Sequence, residues 1–410
     1  MTGISQRELS LKNSIIYRVD TFGNKGFFNV DAYCIDLPHT PAKHVKHYAT
    51  SAFEGILVIP HDSDTSSKEK GKSDEDCTAV HILCLDQHVD RLFRTMDSLF
   101  FIRPEHIEGK IKRFNELFPN KDPSMPIPIV NQKYLTITRE EVKQAIIETI
   151  IRNVKAGHLD PTKLIYGRPN VYRDEKSSEG MVVPGLGVAS LGHEVVLEIA
   201  AYNVGSYLAS APKDGARVVV FEKELWQNNQ NAYYQDVVRG LQSPLRQIKS
   251  GANYGLGGVA KNLAIMLGCD EALITDPDNN VLEGGGENAF SVIDGMLRTP
   301  PKNKAILPGT KRALVLEISK KLGIPNCEED IPLSEFINAD AAAFSGTWCG
   351  FEPLGHLYWY STRKESRYNS NNEIIQILKS EYNFVMNGDN RVDSSLKDIQ
   401  ERVRTKVEIR

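Results

Sequence analysis

The chain has 410 residues, 41% of them hydrophobic and 25% charged, the make-up of an ordinary globular protein long enough for two domains and a tail. A formal net charge of −4 gives no electrostatic case for nucleic acid or an anionic membrane as a partner. No run is apolar for long enough to cross a bilayer, and the six cysteines form no C-x-x-C pair that would suggest a metal site or a disulfide framework. The first residues lack the apolar core of a signal peptide, so a reducing cytoplasm is the expected setting.

In chain order, β-type runs open the sequence at 15–17 and 32–35, broken by Gly and Asn. The runs 56–60 and 79–85 read as a hairpin whose tip, 61–76, is overgrown with Ser, Asp and Lys. At 85–99 the period changes: Val89, Leu92, Phe93 and Met96 recur at helical spacing, with Arg91 and Arg94 on other faces. Arg91 reads either as a surface charge or as an anion ligand turned toward a site. Thr138-Arg-Glu-Glu141 is a capping-box signature that opens a helix with a stripe of Val142, Ile146, Ile150 and Val154. Strands are predicted at 163–169, 195–202 and 217–221, and Asn203-Val-Gly-Ser is the predicted crossing between domains. The polar, aromatic stretch 224–247 reads as a loop with some helix.

The most informative stretch is 249–288. Lys249 sits among small residues with Tyr254 close behind it, and a helix is predicted over 255–268. Asp276-Pro-Asp-Asn-Asn280 is turn chemistry that joins two short strands and puts Glu283 just past a hairpin. One lysine, one tyrosine and one following carboxylate can hold an aldehyde cofactor as a Schiff base and control the charge on its ring. Beyond it, Asp294-Gly295 predicts a tight hairpin. Leu307-Pro-Gly-Thr310 precedes an amphipathic helix whose free N–H groups make a natural phosphate seat. The tail from 361 is polar, with a helix near 398, and carries no chemical signal.

In this order the motifs resemble the class IV (fold-type IV) pyridoxal-phosphate aminotransferases, nearest to the branched-chain amino acid aminotransferases. The resemblance covers about 30–355 and rests on His47-Tyr-Ala-Thr-Ser-Ala-Phe-Glu-Gly55, His88-Val-Asp-Arg-Leu92, Tyr166-Gly-Arg-Pro169 and Lys249-Ser-Gly-Ala-Asn-Tyr254. It continues through Glu283-Gly-Gly-Gly-Glu-Asn288, Leu307-Pro-Gly-Thr310 and Ser345-Gly-Thr347. It implies a two-domain α+β fold like that of the D-amino acid aminotransferases, with pyridoxal 5′-phosphate at the domain interface. A smaller α/β domain would run over 1–202, a linker over 203–208, a larger cofactor-binding domain over 209–360 and a polar, helical tail over 361–410.

The same resemblance implies roles. Lys249 would carry the cofactor and move the proton of the substrate α-carbon, a task that suits a lysine whose pKa burial has lowered. Glu283 would keep the pyridine nitrogen protonated, and Tyr254 would hydrogen-bond the phenolic oxygen. Arg91, Thr310, the N–H of Lys311 and Thr347 would hold the phosphate, while Glu287 and Asn288 would tie the loop behind Glu283. Tyr48, Tyr166 and Arg168 match substrate-pocket positions. Trp348 and Cys349 stand where branched-chain enzymes carry small residues, so Trp348 would narrow or reshape that pocket.

The expected reaction is therefore transfer of an amino group from an L-amino acid to a 2-oxo acid such as 2-oxoglutarate, in a homodimer, with a donor more specialised than leucine, isoleucine or valine. A D-amino acid aminotransferase or an aminodeoxychorismate-lyase-like enzyme is the alternative on the same fold. A non-catalytic homologue is the alternative from another class.

Overall fold

The computed structural model describes residues 15–20, 23–29, 49–61, 77–103, 107–122, 124, 132–174, 176–178, 181–183, 192–205, 207–208, 211–220, 247–360 and 364–409. The sequence expectations for 32–35, 62–76, 224–246 and Tyr48 lie outside these residues.

Two sheets organise the chain. In the first, Ala79–Leu83, Ile56–Pro60, Ile165–Arg173, Val195–Asn203, Ile15–Asp20 and Lys25–Asn29 lie side by side, each antiparallel to the next. The short strand Ser51–Phe53 also pairs with Ile165–Arg173. The helices Leu85–Ser98 and Arg139–Lys155 pack together, and their apolar stripes join the inner face of this sheet in one core. The second helix starts as expected: the Thr138 hydroxyl accepts from the Glu141 N–H, and the Glu141 side chain accepts from the Thr138 N–H.

In the second sheet Val281–Gly284, Glu271–Thr275, Ala216–Val220, Gly350–Trp359, Ala341–Gly346 and Asn288–Ile293 are neighbours in that order. Val281–Gly284 also pairs with Asn288–Ile293, so these six strands close on themselves. Alternation explains how the ring is filled. Val218, Leu273, Ala289, Phe344 and Leu357 meet inside it, whereas the adjacent residues Phe290 and Ala343 face the helices Thr310–Lys321 and Glu373–Asn387. The Asp294-Gly295 turn is present as expected, with both residues at positive φ.

Two features differ from the sequence reading. The helix predicted from 255 starts at Gly251 and carries Gly255, Gly257 and Gly258 inside it despite their weak propensity; at Gly257 the Gly285 carbonyl comes too close for a Cβ. The tail does more than form a helix. After Lys397–Arg402 it continues as the strand Arg404–Glu408 on the free edge of Ala79–Leu83, so the end of the chain completes the first sheet. Among the described residues no helix is long and apolar enough to cross a membrane, and no cluster of His, Cys, Asp and Glu suits a metal ion.

Candidate active site

Lys249 lies where the two sheets meet. Its carbonyl accepts from the Phe53 N–H, and its own N–H donates to the Thr95 hydroxyl at 3.1 Å. These bonds hold it between the strand Ser51–Phe53 and the helix Leu85–Ser98. Gly251 permits this approach, since a Cβ there would collide with the Ser51 hydroxyl. The Lys249 Nζ donates to the Tyr254 hydroxyl at 2.5 Å. Burial, helped by the charge of Arg91, lowers the lysine pKa to about 7. Burial also pushes the Tyr254 hydroxyl well up, so the proton stays on the phenol.

Glu283 is buried, and one of its carboxylate oxygens accepts from the Leu307 N–H at 2.9 Å and from the Asn288 amide at 3.2 Å. Asn288 donates in turn to the Leu307 carbonyl at 2.8 Å. A Cβ at Gly309 would collide with the Asn288 Oδ1, so the glycine before Thr310 makes room for this cradle. Asn288 thus does the loop-tying expected of it. Glu287 folds back onto the Gly286 N–H at 3.0 Å.

Arg91 is buried rather than on a solvated face, and the reason is Glu54. The Arg91 Nε and one terminal nitrogen each donate to a Glu54 oxygen at 2.7 Å, and the His88 Nδ1 lies 2.8 Å from the same carboxylate. Burial alone would raise the Glu54 carboxyl, but the Arg91 charge and the bonds from Arg91 and His88 hold it far below the usual carboxylate range. Burial takes the His88 imidazole down to about 4, so it is neutral at physiological pH. Arg91 therefore reaches the site as a fixed cation, one terminal nitrogen not engaged by Glu54.

The helix Thr310–Lys321 begins after Gly309 with no side-chain cap. Its first-turn N–H groups have no intrahelical acceptor, and the hydroxyls of Thr310 and Ser345 are buried without a protein partner. Lys311 turns its Nζ away to the Cys84 Sγ at 3.0 Å, which leaves its N–H as the group available at the helix start. Orphaned hydroxyls and an uncapped helix start are the donor set an anionic phosphate requires. Lys249, Tyr254 and Glu283 supply the groups an aldehyde, a phenolic oxygen and a pyridine nitrogen require, so these residues fit pyridoxal 5′-phosphate.

A cleft of about 520 Å³ opens beside Lys249 and is lined by Tyr166, Arg168, Tyr207, Lys261, Thr347 and Trp348, among others. The Tyr166 hydroxyl occupies the place a side chain at Gly55 would take. The Arg168 guanidinium lies 4.0 Å over the Phe53 ring, which itself meets the Tyr254 ring edge-on at 4.9 Å. Trp348 packs its ring 5.2 Å from Tyr166 and 5.3 Å from Tyr207, and its Nε1 donates to the Gly205 carbonyl at 2.8 Å. Of the expected positions, Tyr166, Arg168, Lys249, Tyr254, Thr347 and Trp348 line this cleft, and Glu283 lines a small cavity beside it together with Tyr254. The sequence reading missed Glu54 and His88, which it treated only as motif letters, and Tyr207 and Lys261, which carry no motif signal.

The family model described as amino-transferase class IV matches residues 77–355. A probable branched-chain-amino-acid aminotransferase of Synechocystis sp. is 28% identical over 77% of this chain and 79% of its own length. A branched-chain-amino-acid aminotransferase of Pseudomonas aeruginosa is 26% identical over 76% and 77%. Among solved structures, the branched-chain amino acid aminotransferase from Thermobaculum terrenum in its PLP form covers 96% of this chain and 99% of its own, with a TM-score of 0.64 at 18% identity. The branched-chain aminotransferase from the archaeon Thermoproteus uzoniensis, solved with norvaline, likewise covers 96% and 99%, with a TM-score of 0.63 at 22% identity. These likenesses bear out the expected α+β, fold-type IV fold, and with the family match extending over most of the sequence, the chain belongs to the class IV aminotransferases.

Proposed function

We propose that this protein is a pyridoxal-phosphate-dependent aminotransferase that moves an amino group from an L-amino acid to a 2-oxo acid such as 2-oxoglutarate, in two half-reactions at one site. The observation that carries the reading is the half-buried Lys249, with a pKa lowered to about 7 and its Nζ on Tyr254, in a cleft next to a small cavity that Tyr254 shares with the clamped Glu283. Pyridoxal phosphate, when bound, supplies an electron sink for the bond pair left at the substrate α-carbon. The chain does the rest. Arg91, Thr310, the Lys311 N–H and Thr347 hold the phosphate by charge and by helix-start donors. Glu283 keeps the ring nitrogen protonated, and Tyr254 donates to the phenolic oxygen. Lys249 Nζ takes the α-proton and returns it, a transfer for which a pKa of about 7 suits the working pH.

The reading includes the expected division of the chain near 203–208 and a homodimer, which sedimentation at micromolar concentration tests. The Trp348 indole on the cleft wall favours a donor other than the simple branched-chain amino acids, and comparable kcat/KM for leucine, isoleucine and valine would sink that part. The experiment for the reaction itself is the absorbance spectrum of the purified protein before and after an L-amino donor. Loss of the visible cofactor band, restored by 2-oxoglutarate, supports the transfer. Pyruvate released without any acceptor points to the lyase, and failure to bind pyridoxal phosphate points to a non-catalytic homologue.

A further inference from the structure

The helix that carries Arg91 reaches the backbone of Lys249 through a hydroxyl. Thr95 lies one turn beyond Arg91 on Leu85–Ser98 and is 1% exposed. Its hydroxyl donates to the Arg91 carbonyl at 3.1 Å, the bond a helical threonine can make to the residue four back. With that proton committed, the oxygen can only accept. What it accepts is the Lys249 N–H at 3.1 Å, from a residue 154 positions later in the chain. Exchanging the hydroxyl for a methyl group would leave that N–H without its partner.

This bond closes a circuit. The Phe53 N–H donates to the Lys249 carbonyl at 3.2 Å, and a bridge between Ala52 and Ser250 pins the next residue to the same strand. Glu54, which follows Phe53, clamps the Arg91 side chain through two bonds of 2.7 Å. Arg91 and Thr95 share one helix turn, and Thr95 returns to Lys249. Under the aminotransferase reading, Arg91 meets the phosphate and Lys249 the aldehyde of one rigid molecule, so the separation of the two residues has to match it. A misplacement of about 1 Å between reacting groups can cost on the order of a hundredfold in rate. The tip of Lys249 is oriented by Tyr254 and by the Phe53 ring, 4.8 Å from the Nζ. Its stem is flexible, however, so only the backbone bonds fix where the reach begins.

We propose that Thr95 is a positioning residue, which sets the distance between Lys249 and Arg91 by tying the lysine backbone to the helix turn of the arginine. The assignment rests on the aminotransferase reading and adds to it a residue that no sequence motif marks. Its effect is confined to steps that need the lysine amine at the aldehyde carbon. Arg91 keeps its place without the Thr95 hydroxyl, because Glu54 holds its guanidinium. Seating of the ring and phosphate therefore does not depend on Thr95, whereas attack by Lys249 does.

Pyridoxal phosphate and pyridoxamine phosphate separate positioning from general damage. They share the ring and the phosphate, but only the first has the aldehyde carbon that the Lys249 amine attacks. In Thr95→Val, which keeps the shape and removes the hydroxyl, the visible band should form with pyridoxal phosphate about tenfold more slowly or worse. Affinity of the same apoprotein for pyridoxamine phosphate, read by fluorescence titration, should stay within about twofold of wild type. Thr95→Ser keeps the hydroxyl and should restore the rate to within about threefold. In turnover, Thr95→Val should lower kcat by about tenfold or more while KM for the amino donor changes less than about threefold. Should the valine variant not fold, Thr95→Cys, with its weaker acceptor, carries the same test with a slowing of about threefold or more. A wild-type rate in the valine or cysteine variant, a serine variant as slow as valine, or a parallel loss of pyridoxamine phosphate affinity overturns the assignment. A wild-type protein that takes up no pyridoxal phosphate overturns the aminotransferase reading instead.

Discussion

The Nζ of Lys249 and the hydroxyl of Tyr254, five residues apart, share a 2.5 Å hydrogen bond at the wall of the cleft, both side chains half-buried. The two groups are pushed in opposite directions by the same burial: the amine loses its proton more easily and the phenol holds its own more firmly. About half of the lysine is therefore neutral at pH 7, with the lone pair on nitrogen available to attack a carbonyl.

This sets a pH profile. The rate at which apoprotein takes up pyridoxal phosphate, followed by absorbance, should rise through about pH 7 and level off one unit above it. A solvated lysine would give a rise near its ordinary value of about 10. A midpoint there would show that Lys249 is not the attacking group, or that water reaches it. Lys249→Ala should lower turnover by at least about a hundredfold, the smaller end of what a positioned acid–base group contributes.

Glu54 should matter as much for folding as for binding. Its carboxylate is the partner of the buried Arg91, and removing one member of a buried pair costs roughly 3–5 kcal/mol. Glu54→Ala should lower urea stability by about that much. His88 adds a pH signature. Its pKa falls from the ordinary 6.5 to about 4 on folding. Between those values the unfolded chain binds more protons, so stability declines as pH falls from 6.5 toward 4. Denaturation of wild type and His88→Gln across that range should show a steeper decline in wild type by roughly 3 kcal/mol. Parallel curves would mean that His88 is not buried as a neutral ring.

Trp348 should control which donors fit. It is 37% exposed, so its loss leaves the core intact, yet its ring separates Tyr166 from Tyr207 on the cleft wall. Trp348→Ala should raise kcat/KM for L-phenylalanine relative to L-valine by about tenfold or more, within the roughly 1–3 kcal/mol that a change in pocket volume supplies. An unchanged ratio would place the donor side chain elsewhere.

Much of this site was legible because covalent and phosphate chemistry needs residue types that stand out locally: one lysine among glycines, one Leu-Pro-Gly-Thr turn, one glutamate after a hairpin. Boundaries were legible where local chemistry sets them, as at the Thr138 cap and the Asp294-Gly295 turn. Arg91 was ambiguous for the opposite reason. Its helical position puts it off the apolar stripe, and only a carboxylate 37 residues earlier in sequence makes its burial tolerable. Lys261 and Tyr207, 54 residues apart, have no local pattern linking them. The strand at the end of the tail was missed because Arg404-Thr-Lys-Val-Glu is a polar run, and edge strands with one buried side chain resemble solvated chain in sequence.

That terminal strand yields the last prediction. Arg404–Glu408 covers the edge of Ala79–Leu83, with Val407 and Ile409 buried in the core of the first sheet. The preceding helices pack on Thr310–Lys321, the helix whose start is the proposed phosphate seat. At the join, the Val403 carbonyl accepts from the Cys84 N–H at 2.7 Å, and Cys84 sits at positive φ as the first residue before the helix that carries Arg91. The tail thus ties together the two elements proposed to hold the phosphate. Val407→Asp places an unpaired charge in that core and should lower stability by about 3 kcal/mol. Removing 403–410 should weaken pyridoxal phosphate binding by roughly tenfold, about 1.4 kcal/mol by the conversion between affinity and free energy. Fluorescence titration of refolded apoprotein reads that change directly, and a truncated chain that binds the cofactor as tightly as wild type would show that the strand only shields an edge.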